Sequence, residues 1–325
     1  MAREVFPADE VLDPIRAYWG SRVVATAAEL DLLTRLDERP DTAPRVAADL
    51  GLDERGTTRL LDALVVLGMV VKEEGLYAPS ESGAFLSSRH SHSVLPMALH
   101  LAGLWESWSG LTETVRKGRN ERHVPMTEGG EERLAAFILG MHVLGREQAG
   151  AFAAAYDAGG FRRLLDIGGA TGSYAQAFVE RTPGLGAVVF DLPPVIELAR
   201  KRLGEEGLLE RIDLVAGDFY EDELPGGCDL ALLSAIIHQN GREQNVELYR
   251  TVHRALEPGG VLLGRDCVMD NERTSPPGGA LFALNMLVCT EGGDTFTLEE
   301  LRADLEQAGF SEVRLVQPGT FMDGL

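Results

Sequence analysis

Two periodicities divide the chain. From Ile15 to Leu36, apolar residues recur at helical spacing, at Ile15, Trp19, Val23, Ala27, Leu30 and Leu33, which predicts amphipathic helix. A short helix is expected over Ala43–Leu50, closed by Gly51. A second is expected over Arg55–Leu67, with Asp53 as N-cap and Gly68 at its end. Met69–Lys72 and Leu76–Ala78 flank Glu73-Glu74-Gly75 and read as a small hairpin. Helix, short helix, helix, hairpin is the layout of a winged helix. Two further helices are predicted over Leu95–Val115 and Glu131–Tyr156, with a polar loop from Lys117 to Gly130 between them.

From Phe161 the pattern changes. Short apolar runs at Arg163–Ile167, Ala187–Phe190, Ile212–Val215, Leu230–Leu233 and Val261–Leu263 alternate with helical stretches at Tyr174–Arg181, Val195–Leu203 and Gln244–Leu256. Such alternation predicts an α/β fold with a parallel sheet covered on both faces. After a last helix, Leu298–Ala308, the runs Val313–Val316 and Thr320–Met322 are expected to close the sheet as an antiparallel pair across Gln317-Pro318-Gly319. Three segments follow: 1–93, winged-helix-like; 94–160, linking helices; and 161–325, the α/β domain.

Composition narrows the function. Hydrophobic content of 45% and charged content of 25% are those of a soluble globular protein. No apolar run reaches the ~18 residues that span a bilayer, and Met1–Asp13 lacks the apolar core of a secretory signal. A cytoplasmic enzyme with no membrane partner is expected. Cys228, Cys267 and Cys289 are far apart and lack metal-ligand spacing, so neither a disulfide framework nor a metal site is expected. The net charge of −21 repels phosphate backbones. Residues 1–100 carry 10 Arg and Lys against 16 Asp and Glu, a net of −6. The winged-helix region is therefore assigned a protein contact rather than nucleic acid, which counts against a DNA-binding regulator.

The chemistry concentrates where predicted strands end. Leu164 to Gly172 is a buried strand followed by a Gly-rich turn, Asp166-Ile167-Gly168-Gly169-Ala170-Thr171-Gly172. Glycines there let the backbone approach a nucleotide closely. The dinucleotide template Gly-x-Gly-x-x-Gly fails, because Ala170 and Ser173 hold its third and sixth positions. Asp166 repels a pyrophosphate and suits a ligand with a cationic end, such as an ammonium or a sulfonium. Asp191, in Phe190-Asp191-Leu192-Pro193, is placed to accept both ribose hydroxyls of an adenosine. In Gly217-Asp218-Phe219, Asp218 can accept from an adenine amino group and Phe219 can pack on its ring. Each acid alone could be a cap or a solvated loop residue; three at successive strand ends point to a ligand site.

With these motifs in place, the chain resembles the small-molecule O-methyltransferases typified by plant caffeic acid and animal acetylserotonin O-methyltransferases, and more closely their bacterial antibiotic-tailoring members. The resemblance covers nearly the whole chain. It implies a class I Rossmann-like methyltransferase sheet, an N-terminal winged-helix dimerisation domain, a homodimer, S-adenosylmethionine as cofactor, and methyl transfer to a hydroxyl of an aromatic or polyketide-like small molecule in secondary metabolism. The family's Asp-x-Gly-Gly-Gly-x-Gly is matched with Ala170 in place of the third glycine. Asp166, Gly168, Gly169, Asp191, Leu192, Asp218, Phe219 and Ser234 are the cofactor-binding residues it implies.

His238 follows the fourth strand, in Ser234-Ala235-Ile236-Ile237-His238-Gln239-Asn240, and a neutral imidazole suits proton removal from a phenol or enol. The family has its catalytic His here, usually followed by Asp-Trp rather than Gln239-Asn240. A His that only shapes the pocket is the competing reading. Asp266 stands where the family has an acid, commonly Glu. Being one methylene shorter, it must meet His238 more closely or through water; the alternative is a pair with Arg265. The family's second supporting acid aligns near Thr295 and is absent there, although Glu291 and Asp294 are close by. Phe137, Met141, Asn285 and Met286 match acceptor-pocket positions, with core packing as the competing reading for the apolar three. His100 and His142 are expected near that pocket. A C- or N-methyltransferase, or a member that binds S-adenosylmethionine without methylating, is the alternative the substituted positions keep open.

Overall fold

Leu164, Leu165 and Ile167 are fully buried, the signature of a strand covered on both faces. In the computed structural model, which describes residues 8–124 and 130–325, they form the middle of a sheet. The chain divides into two compact units, up to Trp105 and from Glu106.

The first unit contains α1 (Ala8–Arg16), α2 (Tyr18–Glu29), α3 (Leu32–Glu38), α4 (Ala43–Leu50), α5 (Glu54–Val66), the strands β1 (Val70–Glu73) and β2 (Leu76–Pro79), and α6 (Leu95–Gly103). Asp53 caps α5 by accepting from Gly56 N at 2.7 Å, and Gly51 closes α4 in the left-handed region. The periodic stretch Ile15–Leu36 is not one helix. It is interrupted at Ala17, between α1 and α2, and breaks at Asp31, whose φ is +49°, a conformation Asp tolerates better than most residues. The break turns Leu32, Leu33 and Leu36 into a core with Val46, Leu61, Leu64, Val70 and Tyr77. The hairpin β1–β2 is antiparallel, and Asp41 adds a bridge to Tyr77.

The second unit begins in the short α7 (Trp105–Ser109), followed by α8 (Leu111–Lys117) and α9 (Glu131–Ala155). The single helix expected over Leu95–Val115 is thus three pieces, with tighter three-residue turns at Leu104 and Gly110. Part of the loop expected between Lys117 and Gly130 lies outside the described residues. Then come β3 (Arg163–Ile167), α10 (Ser173–Arg181), β4 (Gly186–Asp191), α11 (Pro193–Glu205), β5 (Ile212–Ala216), β6 (Cys228–Ser234), α12 (Arg242–Ala255), β7 (Leu256–Arg265), β8 (Val268–Met269), α13 (Pro277–Cys289), β9 (Phe296–Thr297) and α14 (Leu298–Gln307).

Five strands form a parallel sheet in the order β5-β4-β3-β6-β7. Two-residue alternation splits their side chains between two layers. Leu164, Leu230 and Leu232 pack with Phe152, Tyr174 and Phe178 on one side. Leu165, Ala231 and Leu233 pack with Leu248, Tyr249 and Val252 on the other. The chain runs outward from β3 in one direction and resumes at β6 on its other side. A crevice therefore opens beyond the carboxyl ends of β3 and β6, where ligands bind in open α/β sheets.

The antiparallel pair expected over Val313–Val316 and Thr320–Met322 does not form. Asp323 accepts from Thr320 N at 2.7 Å and Phe321 N at 2.9 Å, consuming donors that a strand would need. Gly324 instead pairs with Asp266 beyond the end of β7, and Val316 N donates to Leu325 O at 2.6 Å.

Candidate active site

Five strand ends carry the singled-out residues, all at the carboxyl edge of the sheet. Asp166 lies within β3 with its carboxyl turned towards α10, where Oδ2 accepts from Ala175 N at 3.2 Å. Its Oδ1 is buried without a hydrogen-bond partner. Gly168 follows at φ +64° in a slot too narrow for a side chain. A Cβ there would stand 2.6 Å from Ile236 Cδ1 and 3.3 Å from Phe219 Cε1. Gly169 is hemmed in by the Asp166 carboxyl, 2.8 Å from where its Cβ would be. Asp191 ends β4 and binds the same turn: Oδ2 accepts from Ala170 N at 2.8 Å, and Oδ1 from Leu192 N at 2.7 Å. Asp218 is tied into its own turn, accepting from Tyr220 N at 2.9 Å while its N–H donates to Asp222.

Across the crevice, His238 sits in a single tight turn, Ile237–Gln239, just past β6. Its Nδ1 lies 2.9 and 3.0 Å from the two carboxyl oxygens of Asp266. The shorter acid makes the contact directly. It is set by Cys267 N, which donates to Oδ1 at 2.8 Å, and by the Gly324 backbone pair. A carboxylate only accepts, so in the neutral imidazole Nδ1 carries the proton and the lone pair is on Nε2. The alternative pairing of Asp266 with Arg265 is absent. Arg265 points to the other face of the strand, where Nε donates to Ser234 Oγ at 2.8 Å and the guanidinium lies 4.9 Å from the Tyr174 ring centre.

Residues 108–311 match the O-methyltransferase domain family, and residues 12–89 match the O-methyltransferase dimerisation domain. The chain belongs to the O-methyltransferase family. It is 33% identical over 309 residues to the 3-hydroxy-5-methyl-1-naphthoate 3-O-methyltransferase of Streptomyces sahachiroi, covering 92% of this chain and 88% of that one. Among solved structures it is similar to PigF with SAH (TM-score 0.89, 27% identity, 97% of both chains). It is also similar to human N-acetylserotonin methyltransferase in complex with SAM (TM-score 0.86, 27% identity, 100% of this chain and 98% of that one). The cofactor of this methyltransferase is S-adenosylmethionine.

The electrostatics of this O-methyltransferase suit that cofactor. Burial pushes Asp166 up to about 7; the Ala175 N–H opposes the rise, Asp191 adds to it and Arg265 lowers it. Burial likewise lifts Asp191 to about 6, against the bonds from Ala170 and Leu192. Two carboxyls reluctant to ionise, one with an orphaned oxygen, beside a slot lined by glycine backbone, fit a ligand that brings an ammonium and hydroxyl donors.

The residues expected at the acceptor pocket are less uniform. Asn285, on α13, accepts from Trp108 Nε1 at 2.8 Å, and Met286 beside it is buried. Phe137 and Met141 are half-buried on α9, four residues apart and hence on one face. Thr295 is buried, and neighbouring Asp294 uses its backbone N–H to hold His238 O at 3.0 Å. His142 contacts the Gly-rich turn, with Nδ1 2.9 Å from Ser173 Oγ and 3.0 Å from Thr171 Oγ1. Burial, then the charges of Arg202 and Arg146, lower it to about 4, so it stands neutral. Sequence reasoning missed Phe282, whose ring centre is 5.0 Å from that of His238. The helical spacing of Phe282, Asn285 and Met286 was the available signal. Among the described residues no cluster of three or more His, Cys, Asp or Glu is placed to hold a metal ion, and no helix is long and apolar enough to cross a membrane.

Proposed function

We propose that the enzyme transfers the methyl group of S-adenosylmethionine to a hydroxyl of an aromatic or polyketide-like small molecule in secondary metabolism, with His238 as general base and Asp266 as its orienting partner. The observation that carries the reading is the His238–Asp266 contact at 2.9 Å, which leaves Nε2 as the proton acceptor at the carboxyl end of β6. The naphthoate-methylating relative supports the acceptor class.

Bound S-adenosylmethionine supplies an electrophilic methyl on a sulfonium. Asp166 would meet its ammonium end, the backbone at Gly168 and Gly169 would admit it closely, and Asp191 with Leu192 would hold the ribose. Asp218 and Phe219 would receive the adenine, and Ser234, whose Oγ accepts from Arg265 Nε at 2.8 Å, would line the cofactor site. Phe137, Met141, Asn285 and Met286 shape the acceptor pocket. His238 Nε2 would take the hydroxyl proton as the acceptor oxygen bonds to the methyl carbon and the carbon–sulfur bond breaks, leaving S-adenosylhomocysteine, and Asp266 would stabilise the imidazolium. Holding the two reactants together in a fixed orientation would supply much of the acceleration.

Residues 1–93 form a winged-helix-like homodimerisation module, 94–160 linking helices that contribute to the pocket, and 161–325 the cofactor domain, in a cytoplasmic enzyme. The test is methyl transfer to hydroxynaphthoates followed by mass spectrometry. His238→Ala should lower kcat by ~10²–10⁴-fold and leave S-adenosylhomocysteine affinity nearly intact. Unchanged turnover in that variant would reject the base and move the acceptor atom towards carbon or nitrogen.

A further inference from the structure

The two residues after His238 differ from the family's usual Asp-Trp, and the second of them is built into a buried polar chain. Asn240 and Asn245 are each 1% exposed, and a buried amide is costly unless its donors and acceptors are matched. Asn240 Nδ2 donates to Asn245 Oδ1 at 3.0 Å, and Asn245 Nδ2 donates to Ile237 O at 2.9 Å. The Asn240 backbone N–H returns to the same carbonyl at 3.2 Å. Together these bonds clamp the turn Ile237–Gln239, at whose centre His238 stands.

One partner comes from the turn that follows β5. The Tyr220 hydroxyl donates to Asn240 Oδ1 and accepts from Gln239 Nε2 at 3.2 Å. Tyr220 follows Phe219, the two ring centres being 4.5 Å apart, and Phe219 walls the Gly168 slot. Its own N–H is held by Asp218. Tyr220 is 42% exposed, and its two hydroxyl bonds help to set where the ring sits.

We propose that Tyr220 is a positioning residue: its hydroxyl, through Asn240 and Asn245, couples the turn that receives the adenine to the turn that carries His238. Seating the adenine on Phe219 then orders the base, so a cofactor-loaded enzyme presents Nε2 correctly and an empty one does so less often. This inference rests on the cofactor and base assignments proposed above.

Tyr220→Phe tests it, since the ring is kept and only the hydroxyl is lost. In protein labelled with ¹³C-histidine, the His238 ring signal is assigned by its loss in His238→Ala. S-adenosylhomocysteine should shift that signal in the wild type, and the shift should fall by at least about half in Tyr220→Phe. The same variant should lose about 10-fold in kcat with acceptor KM within about twofold, the pattern of misplacement rather than lost binding. An undiminished shift in the variant, or a kcat equal to wild type, overturns the coupling. Failure of the base reading shows separately, as normal turnover of His238→Ala, because the ring signal is read without turnover.

Discussion

Cofactor binding should be strongly linked to protons, and the size of the linkage follows from two buried carboxyls. Asp166 is raised to about 7 and Asp191 to about 6 from an ordinary value of 3.8. An ammonium beside Asp166 and ribose hydroxyls on Asp191 both favour the ionised form, so S-adenosylhomocysteine should bind the deprotonated protein. From about pH 8 to about pH 5.5 the ionised fraction falls roughly 30-fold for Asp166 and roughly 4-fold for Asp191. Affinity should therefore weaken by roughly 100-fold, or about 3 kcal/mol. Near pH 6, binding should release roughly one and a half protons, a count obtained from calorimetry in buffers of differing ionisation enthalpy. Asp166→Asn should bind more weakly at pH 8 and show only the roughly 4-fold residual dependence of Asp191. In the free enzyme a carboxyl whose folded pKa is raised stabilises the fold fully below its unfolded value. That stabilisation is lost as pH rises through about 7 for Asp166. The cofactor's protection against thermal unfolding should accordingly grow with pH over the same range. Affinity that is flat from pH 5.5 to 8, or an Asp166→Asn enzyme that keeps the wild-type slope, would refute the placement of a cation against Asp166.

Three further outcomes are expected. Asp266→Asn should reduce kcat by about 10-fold or more, yet by less than His238→Ala, because the base survives with its orientation disturbed; steady-state kinetics decides, and no change would remove Asp266 from the mechanism. Val11, Ile15 and Trp19 follow one another at four-residue spacing and are 60%, 63% and 61% exposed, an apolar stripe suited to a dimer contact. Ile15→Glu with Trp19→Glu should convert a dimer to monomer in sedimentation, and an unaltered dimer would exclude this face. Ala170 occupies the left-handed region at φ +49°, so Ala170→Gly should raise stability by about 0.5–1 kcal/mol, the strain relieved less the entropy cost of glycine; a lowered melting temperature would show that the turn tolerates alanine without strain.

Much of the fold is local in origin and legible in the sequence. The five parallel strands arise from short β-branched and apolar runs, and each strand spans or extends the run that signalled it, as β4 does around Ala187–Phe190. The cap at Asp53 and the hairpin around Gly75 are equally local, since a side chain three residues from an N–H, or a glycine free to adopt positive φ, acts within a few residues. Strand ends also determined that Asp166, Asp191, Asp218, His238 and Asp266 would share one edge, because parallel connections bring every carboxyl end to the same side. Tertiary structure decided the rest. Periodicity alone ran through Asp31, where only packing of Leu32, Leu33 and Leu36 against the core reveals the break. It likewise favoured a strand over Thr320–Met322, which Asp323 winds into a turn. The partners of the polar side chains were the least legible. Trp108 and Asn285 are 177 positions apart, His238 and Asp266 are 28, and Tyr220 and Asn240 are 20. A hydrogen bond depends on distance and angle within a few tenths of an ångström, and sequence spacing specifies neither once the connecting chain passes through a strand, a loop or a helix.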